Sequence, residues 1–306
     1  MRVLMIFIDG LGMGQDDASI NPVVGAEIPT FRTLLGEKGL LKVGGRVETN
    51  EVILVPTRTD LDIPGFPQSA TGQTTLLTGV NGAKALGRHL SAYPTKTLKE
   101  IIKEKSIFKQ LAERGLKATS ANAYSKRYFE MVSDPSGKRR HTASTLSVMA
   151  AGIPFRMMED LKRGEAVFMD ITNRLLLTRP DAPPGVTVIP PQLAGERLAH
   201  LSGKHHFTFY EYFLTDTYGH SRDWEGALEA LSNIDGLLDG VLRGVNLQET
   251  LVMITSDHGN VEDLSTKTHT LNNVPTILIG MGREEMGRRI NSLQDITPAI
   301  VGFLSD

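Results

Sequence analysis

The stretch Thr250-Leu-Val-Met-Ile-Thr-Ser-Asp-His-Gly-Asn260 shows how this chain is organised, because an apolar run of strand length leads directly into an aspartate and a histidine. A continuous apolar run of this length is typical of a strand that is buried on both faces of a parallel sheet. Open α/β sheets bind their ligands at the carboxyl ends of such strands. The stretch therefore predicts a buried strand that ends at a polar site containing Asp257 and His258.

The same pattern recurs along the chain. The apolar run Val3 to Ile8 ends at Asp9, and Asp216 follows a second run in the same way. Segments with apolar residues at helical spacing lie between the strand candidates, and this alternation predicts an α/β fold with a mainly parallel sheet sandwiched by helices. The predicted strands are Val3 to Ile8, Lys117 to Ala121, Ala166 to Ile171, His206 to Leu214, Thr250 to Thr255 and Val274 to Ile279, and the predicted helices are Ser69 to Thr78, Lys96 to Gly115 and Trp224 to Leu242.

One region interrupts the alternation. Residues 122–165 hold a tyrosine and several basic residues, followed by a helical-looking run of alanine, serine, leucine and methionine. We interpret this region as a small lid inserted in a single domain that covers residues 1–306. The length of the chain allows one large α/β domain of this kind.

Bulk composition excludes several classes of protein. Lys plus Arg number 33 against 35 for Asp plus Glu, so no basic field points to nucleic acid. The absence of cysteine excludes disulfides and thiol chemistry. The apolar run near the N-terminus ends at Asp9-Gly10 without a small-residue cleavage site, and no apolar stretch approaches the roughly 20 residues of a membrane span. We therefore expect a cytoplasmic protein without membrane or nucleic-acid partners.

Histidine and aspartate residues are concentrated in the last third of the chain. Asp216, His220, Asp257, His258 and His269 lie there, in a chain with only 8 histidines. Imidazole and carboxylate ligands together suit zinc and manganese. The i, i+4 spacing of Asp216 and His220 can bring both onto one ion, with His269 completing its shell. The adjacent Asp257 and His258 point to different sides, which favours two metals over one.

A two-metal site requires a nucleophile if it is to transfer phosphate. Two cations about 3.5 to 4 Å apart can hold the attacking and leaving oxygens of an in-line displacement at phosphorus. The candidate nucleophile is Ser69, because it stands at the start of a predicted helix whose amides can face a phosphoryl group. A metal ion would supply the activation that a serine hydroxyl needs. Thr71 is an alternative hydroxyl.

Together these motifs resemble the alkaline phosphatase superfamily, and within it the branch of cofactor-independent phosphoglycerate mutase and phosphopentomutase. The motifs that carry the resemblance, in the family's order, are Asp9-Gly10, Ser69-Ala-Thr-Gly72, Asp216-Thr-Tyr-Gly-His220, Asp257-His258-Gly259-Asn260 and Thr268-His269-Thr270. The resemblance implies one metal held by Asp216, His220 and His269. It implies a second metal, manganese or zinc like the first, held by Asp9, Asp257 and His258, with Ser69 bridging toward it as the phosphorylated nucleophile.

The sequence departs from the mutase branch in two respects. The interval from Ala92 to Pro191 is too short for the large cap domain of those mutases, so only a small lid fits. Gln73 stands where the branch usually has histidine. Candidate substrate-binding residues are Gln73, Arg88, Arg127, Arg139 and Arg140, although a solvated surface role is an alternative for the four arginines.

Three functions are consistent with this sequence. The first is a two-metal phosphate-ester hydrolase, a phosphomonoesterase or phosphotransferase, that acts through a phosphoserine on a small phosphorylated metabolite. The second is a phosphomutase or a phosphodiesterase. The third is a non-catalytic protein that uses its metals to bind a phosphorylated ligand. The small lid and Gln73 favour the hydrolase over the mutase, and the presence of the expected nucleophile and metal ligands favours an enzyme over a binding protein.

Overall fold

The computed structural model describes residues 1–180 and 182–305 of the chain. Seven of its strands form one sheet, and two short strands pair separately. In chain order the strands are β1 (Arg2–Ile8), β2 (Val47–Glu48), β3 (Val52–Thr57), β4 (Ala118–Ser120), β5 (Ala123–Tyr124), β6 (Arg156–Met157), β7 (Phe207–Tyr212), β8 (Thr250–Thr255) and β9 (Val274–Gly280).

The seven-stranded sheet has the order β2-β3-β9-β8-β1-β7-β4. The four neighbours β8, β1, β7 and β4 run parallel. At the other edge β9 runs antiparallel to both β8 and β3, and β3 pairs antiparallel with β2. The predicted α/β class is confirmed, and the parallel strands make up the half of the sheet from which the aspartates emerge.

Strand β1 lies near the centre of this sheet and is buried on both faces. Leu4, Ile6 and Ile8 join the apolar core on one side, and the alternate residues of the strand join the core on the other side. Because successive side chains of a strand point to opposite faces, a strand covered on both faces is apolar at most of its positions. This explains why the run has no polar residue until Asp9.

Helices cover both faces of the sheet. Helices α1, α2, α11 and α13 contribute to the core on one face, and α3, α14 and α15 contribute to the core on the other. Besides a 3-10 turn at Lys42–Gly44, the helices are α1 (Pro22–Gly25), α2 (Pro29–Leu35), α3 (Ser69–Thr78), α4 (Gly82–Leu86), α5 (Lys96–Lys105), α6 (Ile107–Ala112), α7 (Lys126–Ser133), α8 (Ala143–Ala150), α9 (Met158–Lys162), α10 (Arg174–Leu177), α11 (Pro191–Ser202), α12 (Leu214–Ser221), α13 (Trp224–Gly244), α14 (Arg283–Arg289) and α15 (Leu293–Ser305). Among the described residues, no helix is both long enough and apolar enough to cross a lipid bilayer.

Two local predictions are wrong. Residues 166–171 do not form a strand; Val167 makes a single bridge with Asn122. The apolar side chains of this segment fill a small cluster beside Ala123 and Leu161, and Asp170 accepts hydrogen bonds from the amides that follow it. A compact turn therefore replaces the predicted strand.

The predicted helix from Lys96 to Gly115 is two helices, α5 and α6. They are separated by Ser106, whose ψ angle of 135° is not helical. The buried hydroxyl of Ser106 donates a hydrogen bond to the carbonyl of Ser147, 2.6 Å away in α8. Helical periodicity in the sequence continues across this break, because both helices bury their apolar side chains on the same side of the sheet.

Residues 122–165 contain the small parallel pair β5–β6 and the helices α7, α8 and α9. Helix α8 packs against α3, α5 and α6, so this part of the region is continuous with the helices that cover the sheet. Helix α7 has no fully buried residue. The single-domain boundary at 1–306 and the lid role of 122–165 remain predictions.

Candidate metal centre and active site

Three neighbouring parallel strands bring the predicted aspartates to one edge of the sheet. Asp9 follows β1 directly, Asp257 follows β8, and Asp216 lies in the first turn of α12 after β7. Because β1 lies between β7 and β8, all three carboxylates meet where parallel strands end. The sheet therefore determines which of the chain's acidic residues come together.

One group of possible metal ligands consists of Asp216, His220 and His269. Each offers one ligand atom, and these atoms all lie within 4.8 Å of one another. Asp216 and His220 stand one turn apart on α12, with Oδ2 and Nε2 3.4 Å apart. His269 comes from the loop before β9, and its Nε2 lies 3.5 Å from Asp216 Oδ1.

The two imidazoles of this group are oriented by backbone carbonyls. Nδ1 of His220 lies 2.8 Å from the carbonyl oxygen of Lys267, and Nδ1 of His269 lies 2.7 Å from that of Pro67. A carbonyl can only accept, so both Nδ1 atoms carry the proton and both Nε2 atoms present a lone pair when neutral. The two Nε2 atoms are 3.1 Å apart. Two lone pairs facing each other beside a carboxylate fit a shared cation, so these residues fit a divalent metal ion.

A second group lies around His258. Its Nε2 is 3.3 Å from Asp9 Oδ1 and 3.5 Å from Asp257 Oδ2. Asp216 also belongs here, because its carboxylate lies within 4.8 Å of ligand atoms of Asp9 and His258. The rings of His258 and His269 stack with their centroids 3.7 Å apart, so the two groups are in direct contact.

The buried oxygens of this second group lack hydrogen-bond partners. Both carboxylate oxygens of Asp257 and Oδ1 of Asp9 are buried without a donor among the described residues. Burial, and the charges of neighbouring carboxylates, raise the pKa of Asp9 and of Asp257 well above the usual range. Burial also holds the pKa of His258 well below its usual range, so that this ring is neutral. A buried polar group without a partner is costly, and a bound cation would compensate both carboxylates. The ligand atoms of Asp9, Asp257 and His258 therefore fit a second divalent ion.

Ser69 is the first residue of α3 and reaches the second group. Its Oγ lies 3.0 Å from His258 Nε2. Gln73, one turn further along, donates from Nε2 to Asp9 Oδ2 at 3.2 Å. The alternative hydroxyl of Thr71 points elsewhere, donating to the carbonyl of Gln68 and accepting from the amide of Leu90. Of the two hydroxyls, only that of Ser69 is placed next to the candidate ligands.

Helix α3 holds Ser69 rigidly, because nearly all of the helix is buried. Its buried threonines keep their hydroxyls satisfied within the helix; those of Thr74, Thr75 and Thr78 donate to carbonyls one turn back. Gly72 faces the site, where a Cβ would lie 3.1 Å from Cβ of Asp257. The glycine therefore allows α3 to approach the end of β8 closely.

Supporting residues that the sequence analysis missed surround these groups. Buried Glu262 accepts hydrogen bonds from the amides of Gly12 and Asn260 and from the side chains of Thr270 and Asn272. Asn260 in turn donates to Asp216 Oδ1 at 2.7 Å. Glu262 lies only four residues beyond His258 in the sequence, but no pattern distinguishes it from a surface glutamate.

A cleft of about 470 Å³ opens beside the site. It is lined by Asp9, Ser69, Gln73 and Asp216 on one side and by residues of the 122–165 region on the other. Further lining residues include Tyr124, Tyr128, Arg139, Arg140, Arg179, Glu211 and Phe213. Of the four arginines proposed as substrate ligands, Arg139 and Arg140 line this cleft.

The other two arginines lie on exposed surface. Neither Arg88 nor Arg127 is among the described residues that line the cleft. Glu211, a buried carboxyl in the cleft wall, was not among the residues predicted from the sequence. A signal was present, because Glu211 is the carboxylate within the otherwise uncharged and fully buried strand Phe207-Thr-Phe-Tyr-Glu-Tyr212.

Comparison with known proteins agrees with this geometry. The family model described as "Metalloenzyme superfamily" matches residues 195–305, the segment that contains Asp216, His220, Asp257, His258 and His269. Over these residues the chain is similar to the metalloenzyme superfamily. The resemblance inferred from the sequence motifs is confirmed.

Curated relatives of this chain are 2,3-bisphosphoglycerate-independent phosphoglycerate mutases. The protein from Desulforudis audaxviator is 29% identical over 143 residues, which cover 43% of this chain and 28% of the relative. The protein from Acetivibrio thermocellus is 38% identical over 96 residues, which cover 29% of this chain and 18% of the relative. The alignments thus span less than a third of the length of these relatives.

Solved structures share the fold of the whole chain. A protein from Pyrococcus horikoshii has a TM-score of 0.59 at 15% identity and covers 99% of this chain and 96% of its own. The alkaline phosphatase from the Antarctic bacterium TAB5 has a TM-score of 0.53 at 14% identity and covers 98% of this chain and 96% of its own. At these identities the comparison concerns the fold alone.

Proposed function

We propose that this protein is a two-metal phosphate-ester hydrolase that acts on a small phosphorylated metabolite through a phosphoserine formed at Ser69. One observation carries the proposal: Ser69 Oγ lies 3.0 Å from His258 Nε2, on the wall of a cleft that also contains Asp9 and Asp216. A hydroxyl that is both accessible and next to an acidic, histidine-rich cluster is the arrangement expected of a nucleophile.

The proposed ligands divide into two sets. Asp216, His220 and His269 would hold one ion, and the buried group of Asp9, Asp257 and His258 would hold the other. Manganese or zinc would suit both sets, because each combines imidazole with carboxylate. When bound, these ions would favour the ionised form of the serine hydroxyl and offset negative charge on the phosphoryl oxygens.

The chain's own residues would perform the following steps. Ser69 Oγ attacks phosphorus, the ester oxygen leaves with a proton as an alcohol, and water then cleaves the phosphoserine to release phosphate. The amides of Thr71 and Gly72 donate to the carbonyls of Leu90 and Gln68, so those of Ser69 and Ala70 at the start of α3 are the ones proposed to donate to the phosphoryl group. Gln73 holds Asp9 in place through its hydrogen bond to Oδ2. Arg139 and Arg140 on the cleft wall are proposed to attract the phosphate.

A phosphomutase is the second candidate, because the curated relatives are phosphoglycerate mutases. A mutase would move the phosphoryl group between two hydroxyls of one molecule and release no phosphate. A phosphodiesterase differs from both in preferring diesters to monoesters. The two alternatives therefore differ from the hydrolase in their products or in their substrates.

The test is to purify the protein, measure its metal content, and assay it with added manganese or zinc on phenyl phosphate and on a phenyl phosphate diester. About two ions per chain and metal-dependent release of phosphate from the monoester would support the hydrolase. Turnover of 3-phosphoglycerate without phosphate release would support the mutase instead. A protein that takes up no metal would contradict the proposed site.

A further inference from the structure

A chain of hydrogen-bonding groups links the end of β7 to the 122–165 region at the wall of the cleft. Ser144 Oγ donates to Glu211 Oε2 at 2.6 Å and lies 2.9 Å from Thr142 Oγ1. Thr142 is 3.1 Å from Thr145, whose hydroxyl is 3.2 Å from the hydroxyls of both Tyr124 and Tyr128. The chain therefore runs from a buried carboxyl at the end of β7 to two tyrosines of the 122–165 region.

Glu211 is held rigidly at the start of this chain. Asn122 accepts from the amide of Glu211 at 2.9 Å and donates to its carbonyl at 2.8 Å. Among the described residues, only Ser144 donates to the carboxyl, so Oε1 remains available in a residue that lines the cleft. A fixed carboxyl oxygen in a cleft wall is an acceptor for a ligand.

We propose that Glu211, together with the hydroxyls of Thr142, Thr145, Tyr124 and Tyr128, forms a subsite for the alcohol portion of the substrate, and that this portion is an uncharged polyol about the size of a sugar ring. The inference rests on the proposed function, because it places the phosphate of the same molecule beside Ser69. It adds the chemical class of the group from which the phosphate is removed.

The composition of the subsite favours hydroxyl groups over charged groups. A hydroxyl can both donate and accept, as do the side chains of Thr142, Thr145, Tyr124 and Tyr128 that line the cleft. Burial raises the pKa of Glu211 to about 7, so its carboxyl is present in both forms near neutrality. A substrate hydroxyl can bond to either form, whereas an ammonium group requires the ionised one and an anionic group is repelled by it.

The cleft also has the size and the apolar surface that a sugar ring needs. Its volume is about 470 Å³, and the rings of Tyr124, Tyr128, Phe168 and Phe213 contribute to its walls. Tyr124 and Tyr128 pack edge to face, with centroids 5.0 Å apart. Pockets that combine aromatic faces with a few placed polar groups orient their ligands through those groups.

The experiment compares two esters, glucose 6-phosphate and cyclohexylmethyl phosphate, which share a six-membered ring and the position of the phosphate. The manganese-loaded wild type should prefer glucose 6-phosphate in kcat/KM. Glu211→Gln and Ser144→Ala should reduce this preference by about tenfold or more, mainly through KM, because a hydrogen bond to a buried carboxyl is lost or weakened. Ser144 acts as a positioning residue, so its variant should leave the turnover of cyclohexylmethyl phosphate less affected than that of glucose 6-phosphate.

Ser147→Ala is a matched control. Ser147 lies on the same helix α8, is buried, and its Oγ has no hydrogen-bond partner among the described residues. This variant should keep the wild-type preference. The inference is overturned if the wild type turns over both esters equally, or if Ser144→Ala and Glu211→Gln lower the turnover of both esters by the same factor.

Failure of the proposed function gives a different result. If phenyl phosphate is hydrolysed but glucose 6-phosphate is not preferred, the subsite is wrong and the hydrolase stands. If no ester is turned over, the hydrolase is wrong, and calorimetric titration of the manganese-loaded Ser69→Ala variant with both esters tests the subsite by itself. Tighter binding of glucose 6-phosphate, lost in the Ser69→Ala and Ser144→Ala double variant, would support the subsite; equal affinities would overturn it.

Discussion

Nε2 of His220 lies 3.1 Å from Nε2 of His269, although the Nδ1 atom of each ring is directed at a backbone carbonyl. In their neutral forms the two rings therefore point lone pairs at each other. Asp216 stands beside both, with carboxylate oxygens 3.4 and 3.5 Å from the two nitrogens. These three side chains stabilise the folded chain only when a positive charge is shared between them.

Added manganese or zinc should therefore raise the free energy of unfolding. An ion that binds only the native state at a free concentration of 100 times its Kd contributes about 2.7 kcal/mol. His269→Ala should lose most of the share contributed by the ion of the first ligand set and keep that of the second, whereas His200→Ala, at an exposed position on α11, should keep both. Urea denaturation with and without the metal ion measures both. An unchanged increment in His269→Ala would contradict the first ligand set.

Ser69→Ala should abolish the covalent phosphoenzyme and lower kcat by at least about a thousandfold, because the proposed nucleophile is removed. The metal content should remain near that of the wild type, because the aspartates and histidines are unchanged. Thr71→Val should retain turnover within about tenfold, since the hydroxyl of Thr71 serves the backbone around Gln68 and Leu90. Acid quench with a labelled phosphate ester detects the phosphoenzyme. Loss of the phosphoenzyme in Thr71→Val, but not in Ser69→Ala, would reverse the assignment.

Glu262→Gln should weaken metal binding by about ten- to a hundredfold. The carboxylate accepts from four donors, and an amide would turn one acceptor into a donor that faces them. We expect the orientation of Asn260, and through it that of Asp216, to change. Titration calorimetry with manganese measures the affinity, and Glu104→Gln on the exposed side of α5 is the control. Wild-type affinity in Glu262→Gln would show that this residue does not orient the ligands.

The stability of the wild type relative to Glu211→Gln should depend on pH. Burial raises the pKa of Glu211 from 4.5 to about 7, so the folded state holds a proton that the unfolded state has lost between these values. The neutral carboxyl's contribution to the free energy of unfolding is fully present below about pH 4.5 and is lost as the pH rises through about 7. This contribution is at most about 3 kcal/mol. Urea denaturation of both proteins between pH 4.5 and 8 measures the difference. A difference that stays constant over this range would contradict the raised pKa.

Several features followed directly from the sequence because they depend on local patterns. The apolar runs of β1 and β8 predicted buried strands, because a strand covered on both faces is mostly apolar. The positions of Asp9 and Asp257 after those runs placed them at the carboxyl edge of the sheet. The spacing of Asp216 and His220 indicated a shared face, and α12 is a helix with these residues one turn apart.

Other features were outside the reach of local patterns. The run from Ala166 to Ile171 is apolar like a strand, but its side chains fill the cluster around Leu161 instead of joining the sheet. The break at Ser106 depends on a hydrogen bond to Ser147, which is distant in sequence. A window of neighbouring residues contains no information about such partners.

The sequence by itself determined the fold class, the residue types of the candidate metal centre and the strand ends that carry its aspartates, because periodicity and composition act over a few neighbouring residues. Tertiary structure alone decided how closely the candidate ligands approach one another, since Nε2 of His220 on α12 meets Nε2 of His269 in the loop before β9. It alone decided that Glu211 is a cleft residue, because burial against Ser144 depends on how β7 and α8 pack. Contacts between distant segments form only when the whole core is assembled, and the chemistry of this site depends on those contacts.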